Sequence, residues 1–169
     1  ASTNTCGLAN SDTIAATSNW LTSSTAPGWS FAYGSTGDAK TGTAATTAAS
    51  WSVGYALSDH IATLQKGGVS TAYEYDGEQR RVLKSSGSTR IRYVYGMQGE
   101  LLCECDQATG QTIREYVWLG STPVALLAKA QAQAQPELFL IHADHIDTPR
   151  IATDRQGRTR WSWLAEPFG

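Results

Sequence analysis

Ala72-Tyr73-Glu74-Tyr75-Asp76-Gly77 and its near-copy Arg92-Tyr93-Val94-Tyr95-Gly96-Met97-Gln98-Gly99 decide the fold of this chain. In each, two aromatics stand at i and i+2, which a β-strand places on one face. A turn signal containing Gly follows at once. Working outward, comparable pairs recur at Phe31/Tyr33, Val53/Tyr55, Tyr116/Trp118, Phe139/Ile141 and Trp161/Trp163, so that successive pairs lie 20 to 23 residues apart. One unit of that length is two strands and two turns. A single hairpin of this kind is unstable alone, so neighbours must stack to bury the aromatic face. The expectation is an all-β chain of antiparallel hairpin repeats stacked into a curved or spiral sheet, with the aromatics on the inner or packing face.

Composition agrees. Six Trp and seven Tyr in 169 residues suit a sheet with aromatic ladders. The net charge of -2 and pI near 5.9 argue against nucleic acid or an anionic membrane as main partner. No apolar run reaches the roughly 18 residues that a membrane-spanning helix needs. The chain lacks an initiator Met and a signal-peptide pattern, which suggests a fragment or a processed product.

Residues 1–18 are small and polar, and read as a loose N-terminal segment or an edge strand; residues 19–169 read as the repeat domain. Strands are expected at Trp29–Tyr33, Trp51–Tyr55, Arg80–Lys84, Glu100–Cys105, Glu115–Leu119 and Leu138–His142, besides the aromatic pairs already named. The Thr/Ala-rich stretch 38–50 has little to bury and reads as a loop or weak strand. Residues 128–135, alternating Ala with Lys and Gln, read equally as a short helix or a solvated loop.

These residues together resemble the Rhs/YD-repeat family. Tyr73-Glu74-Tyr75-Asp76-Gly77-Glu78-Gln79-Arg80 looks like its Tyr-Asp repeat. The order then continues through Tyr93-Val94-Tyr95, Asp106-x-x-Thr109-Gly110, Glu115-Tyr116-Val117-Trp118-Leu119-Gly120, Asp144-His145-Ile146-Asp147-Thr148-Pro149-Arg150, Trp161-x-Trp163 and Pro167-Phe168-Gly169. The resemblance implies a bacterial β shell that encloses a toxin, cytoplasmic before export or secreted within a larger protein. Its implied partners are the remainder of the shell or a toxin cargo, and an isolated piece with open sheet edges is expected to form a homo-oligomer. The family's terminal plug, self-cleavage site and toxin would lie beyond Pro167-Phe168-Gly169, so the expected role is that of a wall segment.

Two departures from the family pattern add chemistry. Asp147 stands where the family usually has Gly, and Cys103 and Cys105 stand where it usually has other residues. His142, Asp144, His145 and Asp147 then offer two imidazoles and two carboxylates within six residues, suitable donors for zinc or another divalent metal. On that alternative reading the chain is a small metal-dependent hydrolase of phosphoesters or activated esters. His142, Asp144 and His145 would hold the metal, and Asp147 would be the catalytic base or a fourth ligand. On a regular strand His142 and Asp144 face one way and His145 and Asp147 the other, so a shared site requires a bend. The competing expectation is that Asp144 and His145 serve a turn. A further idea pairs Cys103 or Cys105 as nucleophile with His145 as base. Three cysteines, Cys6, Cys103 and Cys105, make no disulfide framework. Cys103 and Cys105 on one strand also have poor geometry for a mutual disulfide.

Overall fold

The computed structural model describes residues 3–4, 11–25, 28–56, 58–129 and 135–164. Cys6, residues 130–134 of the Ala/Gln stretch and Pro167-Phe168-Gly169 lie outside them. Two compact units divide at Ser88 and Thr89. The first holds β1 (Thr3–Asn4), β2 (Asp12–Ile14), β3 (Leu21–Ser24), β4 (Trp29–Tyr33), β5 (Ala39–Thr43), β6 (Trp51–Tyr55), β7 (Ile61–Lys66), β8 (Val69–Tyr75) and β9 (Arg81–Ser86). The second holds β10 (Thr89–Tyr95), β11 (Leu101–Asp106), β12 (Thr112–Leu119), β13 (Thr122–Ala128), β14 (Glu137–Ala143), β15 (Pro149–Thr153) and β16 (Thr159–Ser162). Within each unit every strand pairs antiparallel with the next in sequence, a meander with no crossover. No helix occurs among the described residues. The all-β hairpin architecture read from the aromatic pairs is the observed one.

Two turn designs recur among the hairpins. The short one is the two-residue loop, as at Gly67-Gly68, where Lys66 faces Val69, and at Gly120-Ser121, where Leu119 faces Thr122. Both glycines of the first loop have φ of 58° and 78°, as that tight turn requires. The other is a five-residue turn that recurs at 34–38, 56–60, 76–80, 96–100, 144–148 and 154–158. In each, the first residue's amide donates to the fifth residue's carbonyl, and the fourth residue's amide donates back to the first residue's carbonyl. The fourth residue is left-handed every time: Gly37, Asp59, Gln79, Gly99, Asp147 and Gly157. A register shift accompanies the turn, for example at Glu74/Tyr75, Val94/Tyr95 and His142/Ala143, as expected of a bulge beside a tight loop.

In four of the pairs the second aromatic has the same task. Tyr33 donates its hydroxyl to the Leu21 carbonyl at 2.8 Å, Tyr55 to Ala39 at 2.9 Å and Tyr75 to Ile61 at 2.9 Å. In the second unit Trp118 Nε1 donates to Leu101 at 2.9 Å. Each acceptor is the first residue of the preceding strand. The polar tip of the aromatic thus closes the carbonyl that the bulge frees, while its ring covers the sheet face.

Of the two readings of 38–50, loop or weak strand, the structure has the strand, Ala39–Thr43. Gly42 lies opposite Trp51, and a β-carbon at Gly42 would sit 2.4 Å from the Trp51 ring, so the indole covers the glycine directly. The Thr/Ala strand is held by its neighbour's aromatic rather than by large side chains of its own. Among described residues with apolar side chains only Tyr93, Pro123 and Ala125 are buried. The units are sheets whose faces are half covered by their own side chains, not two-layered cores.

Candidate functional site

The repeat's chemistry concentrates in the five-residue turns. Asp76 Oδ1 accepts the amides of Glu78 and Arg80, both at 2.9 Å, and its Oδ2 accepts Arg80 Nε at 2.8 Å. Asp154 repeats this with the amides of Gln156 and Arg158 and with Arg158 Nε at 2.8 Å. Asp144 does the same with the amides of Ile146 and Thr148, reaching Arg150 Nε at 2.8 Å. An Asp side chain suits this place because it reaches backbone amides two and four residues on. An Arg fork then fills the remaining oxygen. The amide of Arg80 is the largest influence holding Asp76 below the usual carboxylate range. Burial pushes Asp144 and Asp154 upward, but the amides and the guanidinium of Arg150 or Arg158 outweigh it and both carboxyls lie low. Asp154 is 1% exposed.

The sequence-predicted metal residues fall into different parts of this frame. His142 ends up on β14, exposed, with Nε2 3.1 Å from Thr153 Oγ1. His145 is an exposed residue of the turn itself. Asp144 spends both oxygens on its turn and Arg150, which is the turn-holding role weighed against the metal role. The Arg150 guanidinium in turn lies 4.9 Å from the Trp163 ring centre. Asp147 occupies the left-handed position at φ 63°, the place where a glycine is easiest. Its carboxylate accepts the hydroxyls of Ser121, at 2.6 Å, and Thr122. Those two hydroxyls hold its carboxyl below the ordinary range. The expected alternation of faces does not apply, because 144–148 is a turn and not a strand. Among the described residues no three His, Cys, Asp or Glu side chains gather in a metal-holding group. Cys103 and Cys105, on β11, are separated from the His145 turn by β12 and β13.

Sequence reasoning missed a buried polar cluster. Glu104, 8% exposed, receives Arg114 Nη1 at 2.6 Å and the Tyr116 hydroxyl at 2.7 Å. Register places Tyr93, Glu104 and Arg114 side by side across β10, β11 and β12. Burial, followed by the facing Glu104 carboxylate, pushes the Tyr116 phenol up. The signal available was the alternation itself, which sets Glu104 on the aromatic face of its strand. Beyond Tyr116 that face forms a trough of about 560 Å³, lined by Leu126, Phe139, Ile141, Ala152 and Trp161 among others.

Comparison with known proteins bears on the fold. No protein-family model matches the sequence, and no curated protein matches it. Solved structures do. The crystal structure of TcdB2-TccC3 without its hypervariable C-terminal region is similar at a TM-score of 0.57 and 16% identity, over 90% of this chain and 9% of that one. The TcdB2-TccC3-Cdc42 crystal structure is similar at 0.57 and 14% identity, over 91% of this chain and 9% of that one. The chain therefore spans about a tenth of the proteins it resembles. The likeness is one of fold, and along that shared fold this chain carries its aspartate–arginine turns and its aromatic pairs.

Proposed function

We propose that the chain is a structural wall segment of an Rhs/YD-repeat shell that encloses a toxin. The observation that carries this reading is the repeated stapling of an aromatic to the start of the preceding strand, by Tyr33, Tyr55, Tyr75 and Trp118. That device spends aromatic and aspartate side chains on continuing a sheet. The similarity to a short stretch of TcdB2-TccC3 supports the same reading. No observation favours the hydrolase alternative, since Asp144 is spent on its turn and Arg150, and Asp147 on the hydroxyls of Ser121 and Thr122. The remainder of a shell and a cargo are the partners this reading calls for.

A graft tests it. The chain replaces the matching stretch of a TcdB2-TccC3 that carries its hypervariable C-terminal region, and protease digestion reads whether that region is as protected as in the parent. Protection equal to the parent is the expected result. An assembled chimera that leaves that region digestible would sink the wall reading.

A further inference from the structure

Cys103 and Cys105 stand on β11 with their sulfurs 3.4 Å apart. Register sets Cys103 opposite Val94 and Glu115, and Cys105 opposite Arg92, so both thiols leave the sheet on the face opposite Tyr93 and Glu104. Both residues are partly exposed and unbridged. The strand is paired on both sides, which fixes its spacing. Two same-face strand residues are roughly 6.6 Å apart at Cα, the far end of what a disulfide spans. A direct bond of about 2.05 Å would have to pinch a strand locked in its ladders. A single bridging atom has no such difficulty: bonds of about 2.3 Å to sulfurs at this separation meet at roughly 95°.

That bite excludes a linear two-coordinate ion and suits a pyramidal centre. The described residues supply no third ligand group around the pair, so the fitting centre brings its own remaining substituent. Soft thiolates select soft partners. We propose that Cys103 and Cys105 form a chelating dithiol site for a soft, thiophilic trivalent centre of the mono-organyl arsenical class. In the binding step both S–H bonds break and two As–S bonds form. The oxygen of R–As=O leaves with the two protons as water, and arsenic stays trivalent throughout. Burial and the neighbouring Cys105 push the Cys103 thiol up to about 11, so it enters the step as a thiol and gives up its proton there.

Phenylarsine oxide is the probe, used on the full chain carrying Cys6→Ser so that only these two thiols remain. One equivalent is expected to remove both free thiols, with release by an added dithiol and not by the same amount of a monothiol. Cys103→Ser and Cys105→Ser should each bind roughly 100-fold more weakly, the loss expected when a second attachment becomes impossible. Circular dichroism and thermal melting confirm that each variant is folded. Three outcomes would overturn the proposal: a folded parent that keeps both thiols, a single-cysteine variant that binds as tightly as the parent, or spontaneous loss of both thiols to a disulfide before the probe is added.

Discussion

Tyr55 donates its hydroxyl to the carbonyl of Ala39, the first residue of the neighbouring strand, at 2.9 Å. The bond spans two hairpins and is repeated along the chain, so it fixes the register of one repeat on the next. Tyr55→Phe keeps the ring and removes only the donor. It should cost about 0.5–1.5 kcal/mol, read as a lower denaturant midpoint at unchanged slope. Tyr73→Phe, whose ring instead receives Arg81 at 5.6 Å, should cost less. Equal losses in the two variants would remove the stapling role.

The aspartate turns predict the response to acid. Asp76, Asp106, Asp144, Asp147 and Asp154 all have their carboxyls lowered in the folded chain. A lowered folded pKa gives stability that is present above the unfolded value, about 3.9 for Asp, and is lost as pH falls through the folded values. Melting temperature should therefore hold from pH 7 to about 5 and fall steeply below about 4. Asp154→Asn should flatten that fall and lower the melt at neutral pH, because Asn accepts the turn amides but does not pair with Arg158 as an ion. An acid profile unchanged by this substitution would show that Asp154 does not carry the effect.

Much of the sheet was legible in the sequence because its period is written in large residues. Tyr73/Tyr75 and Tyr116/Trp118 announce their strands, and Asp76, Asp144 and Asp154 announce turns. Ala39–Thr43 was legible only as one of two alternatives, since its reason for being a strand is the Trp51 ring lying over Gly42. Glu104 was not singled out because its partners Arg114 and Tyr116 are one strand away, related by register rather than by spacing. The His142–Asp147 stretch looked like a ligand set because sequence proximity hides that Asp144 is spent on its own turn's amides and Arg150, and Asp147 on the hydroxyls of Ser121 and Thr122.

Asp147 stands at φ 63°, where Gly would relax the backbone, and spends its carboxylate on Ser121 and Thr122. Asp147→Gly exchanges one gain for one loss and should leave the melt within about 2 °C of the parent. Asp147→Ala keeps the backbone strain and loses both hydroxyl contacts, so it should melt lowest of the series, by several degrees. Asp147→Asn, which tolerates the left-handed region and retains an acceptor, should fall between them. If Ala and Gly prove equal, the left-handed strain is not felt. If Ala equals the parent, the contacts to Ser121 and Thr122 contribute nothing.

The Glu104 cluster should behave as one unit. Glu104→Gln, Tyr116→Phe and the double variant form a cycle with a coupling energy of about 1–3 kcal/mol, since the bond joins a charged acceptor to a buried donor. The alkaline limb supplies an independent sign. The raised phenol of Tyr116 contributes stability that is complete below the unfolded tyrosine value of about 10 and is lost as pH rises through the higher folded one. The parent should therefore lose stability relative to Tyr116→Phe as pH climbs above about 10, with phenolate absorbance showing one tyrosine that ionises only as the sheet unfolds. Parallel curves for parent and Tyr116→Phe, with no coupling in the cycle, would mean that Glu104 is held by Arg114 alone. In that case Arg114→Met, not Tyr116→Phe, would be the substitution that strands a carboxylate in the sheet.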